Sequence, residues 1–138
     1  MRDKKLLPIK LLMLTLIFCS SLYSNEAIWL HDYDQAIQKA KKEHKDIYLF
    51  IGADICNFCK KYKKHTLSDD AVMRRLTRDY IPVYLSRDQH LIPDHFETYG
   101  VPRHYFLQAN EEVYFSTQGL LEIAGFYTML DEAELSKE

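Results

Sequence analysis

The chain has 138 residues, with 18 Lys+Arg against 20 Asp+Glu and 47% hydrophobic residues, a size that fits one packed core. Its formal net charge of −2 disfavours a nucleic-acid-binding protein. With four glycines in all, it also has no glycine-rich loop to cradle a phosphate.

Residues 1–24 read as a secretory signal peptide. Arg2, Lys4, Lys5 and Lys10 give a positively charged start, residues 11–18 are apolar, and Ser20, Ser21 and Ser24 supply small residues for cleavage near Ser21 or Ser24. The apolar run falls well short of the roughly 20 residues a membrane-spanning helix needs. An uncleaved anchor is therefore the lesser expectation, and no stable membrane span is expected after processing. Cys19 follows the bulky Phe18, a poor context for a lipid-anchored cysteine. The expected mature domain is residues 25–138. The leader holds four of the 18 basic residues and one of the 20 acidic ones, so the remainder carries a net charge of −5.

Asp32 and Gln35 have the spacing of a capping box, and Tyr33, Ala36, Ile37 and Ala40 recur at helical spacing, predicting a helix over 32–43. Residues 47–51 (Ile-Tyr-Leu-Phe-Ile) predict a buried strand. The next segment carries the chemistry: Cys56-Asn57-Phe58-Cys59, at the start of a helix expected to reach about Thr66. A C-x-x-C between a strand and a helix is a thiol–disulfide redox motif. The helix start offers free N–H groups and partial positive charge to Cys56, both favouring the reactive thiolate. Lys60, Lys61, Lys63 and Lys64 follow. They read as a solvated helix face, or as a positive collar that lowers thiol pKa and steers acidic partners.

Ser68 has the look of an N-cap for a second helix that buries Val72, Met73 and Leu76. Residues 81–85 form the next strand. Strand, helix and strand in this order imply a right-handed unit with parallel strands. Pro82 cannot donate to a ladder and is expected at the strand's start or at an unpaired position. A short helix is expected over 93–97. Strands over 103–107 and 113–115, joined by a turn at 110–112, predict an antiparallel hairpin. A last helix is expected over 120–135.

This order of elements, with Val101-Pro102 opening the third strand, resembles the thioredoxin fold, and most of all the secreted thioredoxin-like proteins. Trp29, Asp32-Tyr33, Ala40-Lys41, Cys59-Lys60, residues 66–69 and Val72 carry the likeness, which extends over residues 28–135. The resemblance implies an α/β fold with a mixed sheet of four to five strands flanked by helices. It implies a cis bond before Pro102, which would set the Val101 backbone beside the sulfurs to pair with an extended substrate. Asn57 and Phe58 would then touch substrate. Lys60 and His104 are weaker candidates for tuning the thiols, and His104 also reads as an ordinary packed strand residue.

Two positions depart from the thioredoxin pattern. Ile55 stands where thioredoxins have tryptophan, and Phe50 where they have a buried aspartate. Asp54, Glu97 or solvent would then have to accept the proton. The expected function is a secreted or periplasmic thiol–disulfide oxidoreductase, reductase in preference to oxidase, with Cys56 as nucleophile and Cys59 as resolving thiol. Its expected partners are protein disulfides and a membrane or soluble electron donor. It is expected to be a monomer that needs no cofactor. The alternative is a copper or zinc module on the same fold, using Cys56, Cys59 and a histidine such as His65.

Overall fold

The computed structural model describes residues 28–137. The signal-peptide reading and Cys19 lie outside them. Helix α1 (Tyr33–Glu43) leads into strand β1 (Asp46–Gly52), then α2 (Asn57–His65) and α3 (Asp70–Asp79). Strand β2 (Tyr80–Ser86), the pair β3 (Arg103–Leu107) and β4 (Val113–Gln118), and helix α4 (Ile123–Leu135) complete the fold.

The four strands form one sheet in the order β2-β1-β3-β4. Strand β1 runs parallel to β2 and antiparallel to β3, and β4 is antiparallel to β3. Alternation along β1 divides the core. Tyr48 and Phe50 face a cluster that takes Tyr62 from α2, Val72, Met73 and Leu76 from α3, and Phe126, Met129 and Leu130 from α4. Ile47, Leu49 and Ile51 face the other way, onto Tyr33, Ile37 and Ala40 of α1. Both faces are covered, which is why β1 reads as a continuous apolar run.

Pro82 lies inside β2, opposite Tyr48, and not at the strand's start. The edge tolerates it because its carbonyl accepts from Leu30 N and Tyr84 N donates to Leu30 O on the outer side. The missing N–H therefore faces away from β1.

Three expectations need correction. The cap of α3 is Asp69, whose Oδ1 accepts from Ala71 N and Val72 N at 2.9 Å. Ser68 instead donates back to the Lys64 carbonyl. Residues 93–97 form a single turn closed by Phe96 N to Pro93 O, not a helix. Strand β4 continues three residues past 115, because pairing with β3 holds Ser116, Thr117 and Gln118.

Candidate functional site

The C-x-x-C stands where the tightly buried β1 gives way to α2. Cys56 is the N-cap of α2, with extended backbone, and its Sγ accepts the Cys59 N–H at 3.1 Å. A cap normally uses a hydroxyl or carboxylate oxygen; here the sulfur takes that place and receives the helix's partial positive charge. Cys56 and Cys59 are joined as a disulfide, with Cα atoms 5.2 Å apart. Cys56 is the more accessible of the two, at 9% against 2% for Cys59.

Across from the pair, the Val101–Pro102 bond is cis. The Val101 carbonyl oxygen lies 3.9 Å from Cys56 Sγ. A disulfide sulfur carries no proton, so in the oxidised protein this is a contact and not a hydrogen bond. Asn57 and Phe58 occupy the exposed first turn of α2. Ile55, Phe58 and Tyr99 are 94%, 63% and 73% exposed, a group of large apolar side chains in the segments that carry the cysteines and Val101.

Beside α2, Cys59 opens onto a recess of about 510 Å³ lined also by Ala53, Asp54, Lys60, Lys63, Tyr84, Ser86 and Gln89. The loop after β2 clamps the segment before Cys56. Ser86 Oγ donates to Asp54 Oδ1 at 2.7 Å, Gln89 Nε2 donates to both Asp54 oxygens at 2.8 Å, and Asp54 N donates to Asp88 Oδ2. Donation by Gln89 and then Ser86 holds the Asp54 carboxyl below its ordinary value. Glu97, the other carboxylate considered as a proton acceptor, accepts from Tyr99 N, which lowers it in the same way. Lys63 Nζ sits 3.3 Å above the centre of the Tyr84 ring.

Phe50 stands where the resemblance to thioredoxins places an aspartate. Its ring packs on Tyr84, Tyr62 and His104 with centroids 4.9, 5.2 and 5.9 Å away. His104 lies opposite Phe50 in the β1–β3 register and is fully buried. Its Nε2 is 2.9 Å from the Gly119 carbonyl and its Nδ1 2.8 Å from Tyr48 Oη, which in turn is 2.8 Å from Tyr62 Oη. A carbonyl only accepts, so Nε2 carries the proton. Burial lowers the ring's pKa from 6.5 to about 4, so near neutral pH Nδ1 is unprotonated and accepts from Tyr48. Tyr62 then donates to Tyr48. His104 is thus a neutral, doubly bonded core residue. Buried and neutral, it has no charge near neutral pH to lend the thiols.

Of the four lysines that follow the cysteines, Lys60 and Lys63 line the recess, and Lys63 is the one fixed against an aromatic ring. Ser86, Gln89 and Tyr84 were not singled out from the sequence; no spacing links them to Cys59. Among the described residues, no three His, Cys, Asp or Glu side chains converge as a metal site, so no histidine joins Cys56 and Cys59 as the metal-module alternative requires.

Residues 28–109 match the sequence profile of the thioredoxin-like family. The chain belongs to that family. It is also 26% identical over 122 aligned residues to human spermatogenesis-associated protein 20, covering 77% of this chain but 15% of that protein. An uncharacterised protein of Archaeoglobus fulgidus is 29% identical over 55 residues, 40% of this chain and 43% of its own length. The chain thus spans less than half the length of either relative. Among solved structures, a thioredoxin from Thermus thermophilus superposes with a TM-score of 0.63 at 22% identity, covering 78% of this chain and 84% of the other. The oxidised C-terminal domain of Neisseria meningitidis DsbD gives 0.61 at 18% identity, covering 75% and 98%. At these identities the two structures establish the thioredoxin-like fold.

Proposed function

We propose that this thioredoxin-like protein is a secreted thiol–disulfide oxidoreductase that reduces disulfides in protein substrates. The observation that carries the reading is the Cys56–Cys59 disulfide at the start of α2, with the more accessible sulfur capping the helix and facing the Val101 carbonyl. The fold and this cysteine pair support exchange chemistry at the general level, and the Thermus thioredoxin and the DsbD domain are similar in architecture.

In the reduced protein, the Cys56 thiolate attacks one sulfur of a substrate disulfide. A bond forms between Cys56 Sγ and that sulfur, and the substrate's other sulfur leaves as a thiolate. Cys59 then attacks Cys56 Sγ, closing the intramolecular disulfide and releasing the second substrate sulfur. Two electrons pass from the dithiol to the substrate. The Val101 backbone offers a carbonyl to an extended substrate chain, and the exposed Phe58 and Ile55 offer apolar contact.

The leader-like residues 1–24 support secretion. An oxidising compartment would keep the pair oxidised unless a dedicated donor re-reduces it, so a membrane or soluble electron donor belongs to this reading. The deciding experiment is disulfide turnover with cysteine variants. Cys56→Ser should abolish it and Cys59→Ser should accumulate mixed disulfides; turnover by the Cys56 variant defeats the reading. A reduction potential near about −270 mV supports the reducing direction, and one near about −120 mV reverses it. Sequencing the amino terminus of secreted protein tests the leader, with a start after Ser21 or Ser24 expected.

A further inference from the structure

We propose that Lys63 is the cation that stabilises the Cys59 thiolate while Cys59 releases the substrate from Cys56. The inference rests on the exchange reading above and assigns a charge-stabilising residue within it.

The buried thiol has a difficult task. Cys59 is 2% exposed and belongs to the cluster that holds Phe50 and Tyr62. An anion there is costly without a compensating charge. The side facing the sheet offers none. Phe50 is a hydrocarbon, and His104 is neutral with both nitrogens committed to Tyr48 and Gly119. Tyr62 donates to Tyr48. Asp54 is held by donors, and to a smaller extent by the charges of His90 and Lys63 itself, that favour its ionised form, so it is a weak base for a thiol.

The recess is the remaining approach. The charged and titratable groups facing it are Asp54 from the loop after β1, Lys60 and Lys63 from α2, and Tyr84 from β2, with Asp88 behind Asp54. Lys63 follows Cys59 by four residues, one helical turn, which puts both on the same side of α2. Lys60 is the next residue and points about 100° round the helix. The Lys63 ammonium is seated on Tyr84 at the sheet side of the recess. The recess has the volume of several waters, each taking about 30 Å³ in the liquid, so the proton has a path to solvent.

The step balances as follows. From the mixed disulfide, the Cys59 thiol gives its proton to water in the recess. The Cys59 sulfur's electron pair forms the bond to Cys56 Sγ. The Cys56–substrate S–S bond breaks, and its electron pair leaves on the substrate thiolate, which is protonated by solvent. Lys63 takes no proton; it lowers the free energy of the intermediate anion.

The test uses the full chain carrying Cys19→Ser and Cys56→Ser, which leaves Cys59 as the one thiol. Its pKa is read from thiolate ultraviolet absorbance against pH. Lys63→Met keeps the stem and removes the charge; it should raise the Cys59 pKa by about half to one pH unit. Lys63→Arg should hold it close to the parent, and Asp54→Asn should lower it. With both active-site cysteines present, Lys63→Met should slow release of a small thiol from a Cys56 mixed disulfide by about three- to tenfold at neutral pH. An unchanged Cys59 pKa in Lys63→Met overturns the assignment. So does a shift of the same sign in Lys63→Met and Asp54→Asn, which would mark a general disturbance of the recess. Failure of the parent protein to turn over any disulfide counts against the exchange reading alone, since the thiol titration reports on Lys63 independently.

Discussion

Lowering the pH should destabilise this protein through His104 before its carboxylates come into play. The ring is fully buried, and burial holds its pKa near 4 against 6.5 in an exposed chain. Between these values the unfolded chain binds a proton that the folded chain refuses. Stability therefore rises with pH across this window, is complete above about 6.5, and falls as the pH drops towards 4. Each pH unit in which only the unfolded state is protonated costs about 1.4 kcal/mol, so the full window amounts to about 3 kcal/mol. That is a large share of the ~5–15 kcal/mol that holds a typical domain. Asp54, Asp79 and Glu97 have lowered folded values, so their contributions are present above the ordinary carboxylate pKa and are lost at lower pH. The assay is urea unfolding followed by circular dichroism at several pH values from 7 to 4.5. His104→Gln supplies an amide donor and acceptor but cannot titrate. It should start less stable at pH 7 and lose about 2.5 kcal/mol less by pH 4.5. Parallel loss in wild type and variant would refute the reasoning.

The hydrogen-bond directions give a second contrast: Tyr48→Phe strands His104 Nδ1 and the Tyr62 hydroxyl, whereas Tyr62→Phe strands only an acceptor on Tyr48. At about 1–3 kcal/mol per stranded buried group, Tyr48→Phe should cost the more in urea unfolding; equal losses would contradict the assigned directions. Asp69→Ala should remove about 1 kcal/mol, because its Oδ1 holds both Ala71 N and Val72 N, while Ser68→Ala should cost less. Gly52→Ala would set a Cβ 2.9 Å from Tyr84 Cε2; a loss of about 1–3 kcal/mol is expected, and a stability equal to wild type would show that Tyr84 moves freely. Ile55→Ser with Phe58→Ser should raise KM for a protein disulfide several-fold and leave turnover of a small aromatic disulfide nearly unchanged, and an equal effect on both substrates would remove these side chains from protein recognition.

The elements legible in the sequence were those whose burial repeats at a fixed period. Tyr33, Ala36, Ile37 and Ala40 mark the inner side of α1, and all four are buried. The C-x-x-C was legible because its spacing is local. The short helix at 93–97 was not foreseeable as a mere turn: a proline suits a helix start, but one turn has too few hydrogen bonds to repay its nucleation. Adjacent cap-competent residues made Ser68 and Asp69 hard to separate, and the choice rests on which side chain meets two free N–H groups. The end of β4 is polar and half exposed, so pairing alone marks it. His104 is a longer-range matter. Its partners come from β1, α2 and the residue after β4, and no sequence period joins them.

Phe50, where the resemblance to thioredoxins places a buried aspartate, changes how the site can work, and does more than withhold one base. Phe50 brings an aromatic ring to that position, and Tyr62, Tyr84 and His104 pack around it. This raises the cost of placing negative charge on Cys59, the sulfur nearest the core. A carboxylate in that position would accept the proton and become neutral as the thiolate forms, leaving the anion with no opposite charge beside it. A cation at the edge of the recess has the opposite character: it leaves the proton to solvent and attracts the anion. The resulting dependence on ionic strength separates the two designs. Screening weakens an exposed cation's effect, so release of substrate from Cys56 should slow as salt rises, and the slope should disappear in Lys63→Met. A salt slope that survives in that variant would move the source of the charge elsewhere in the lysine collar.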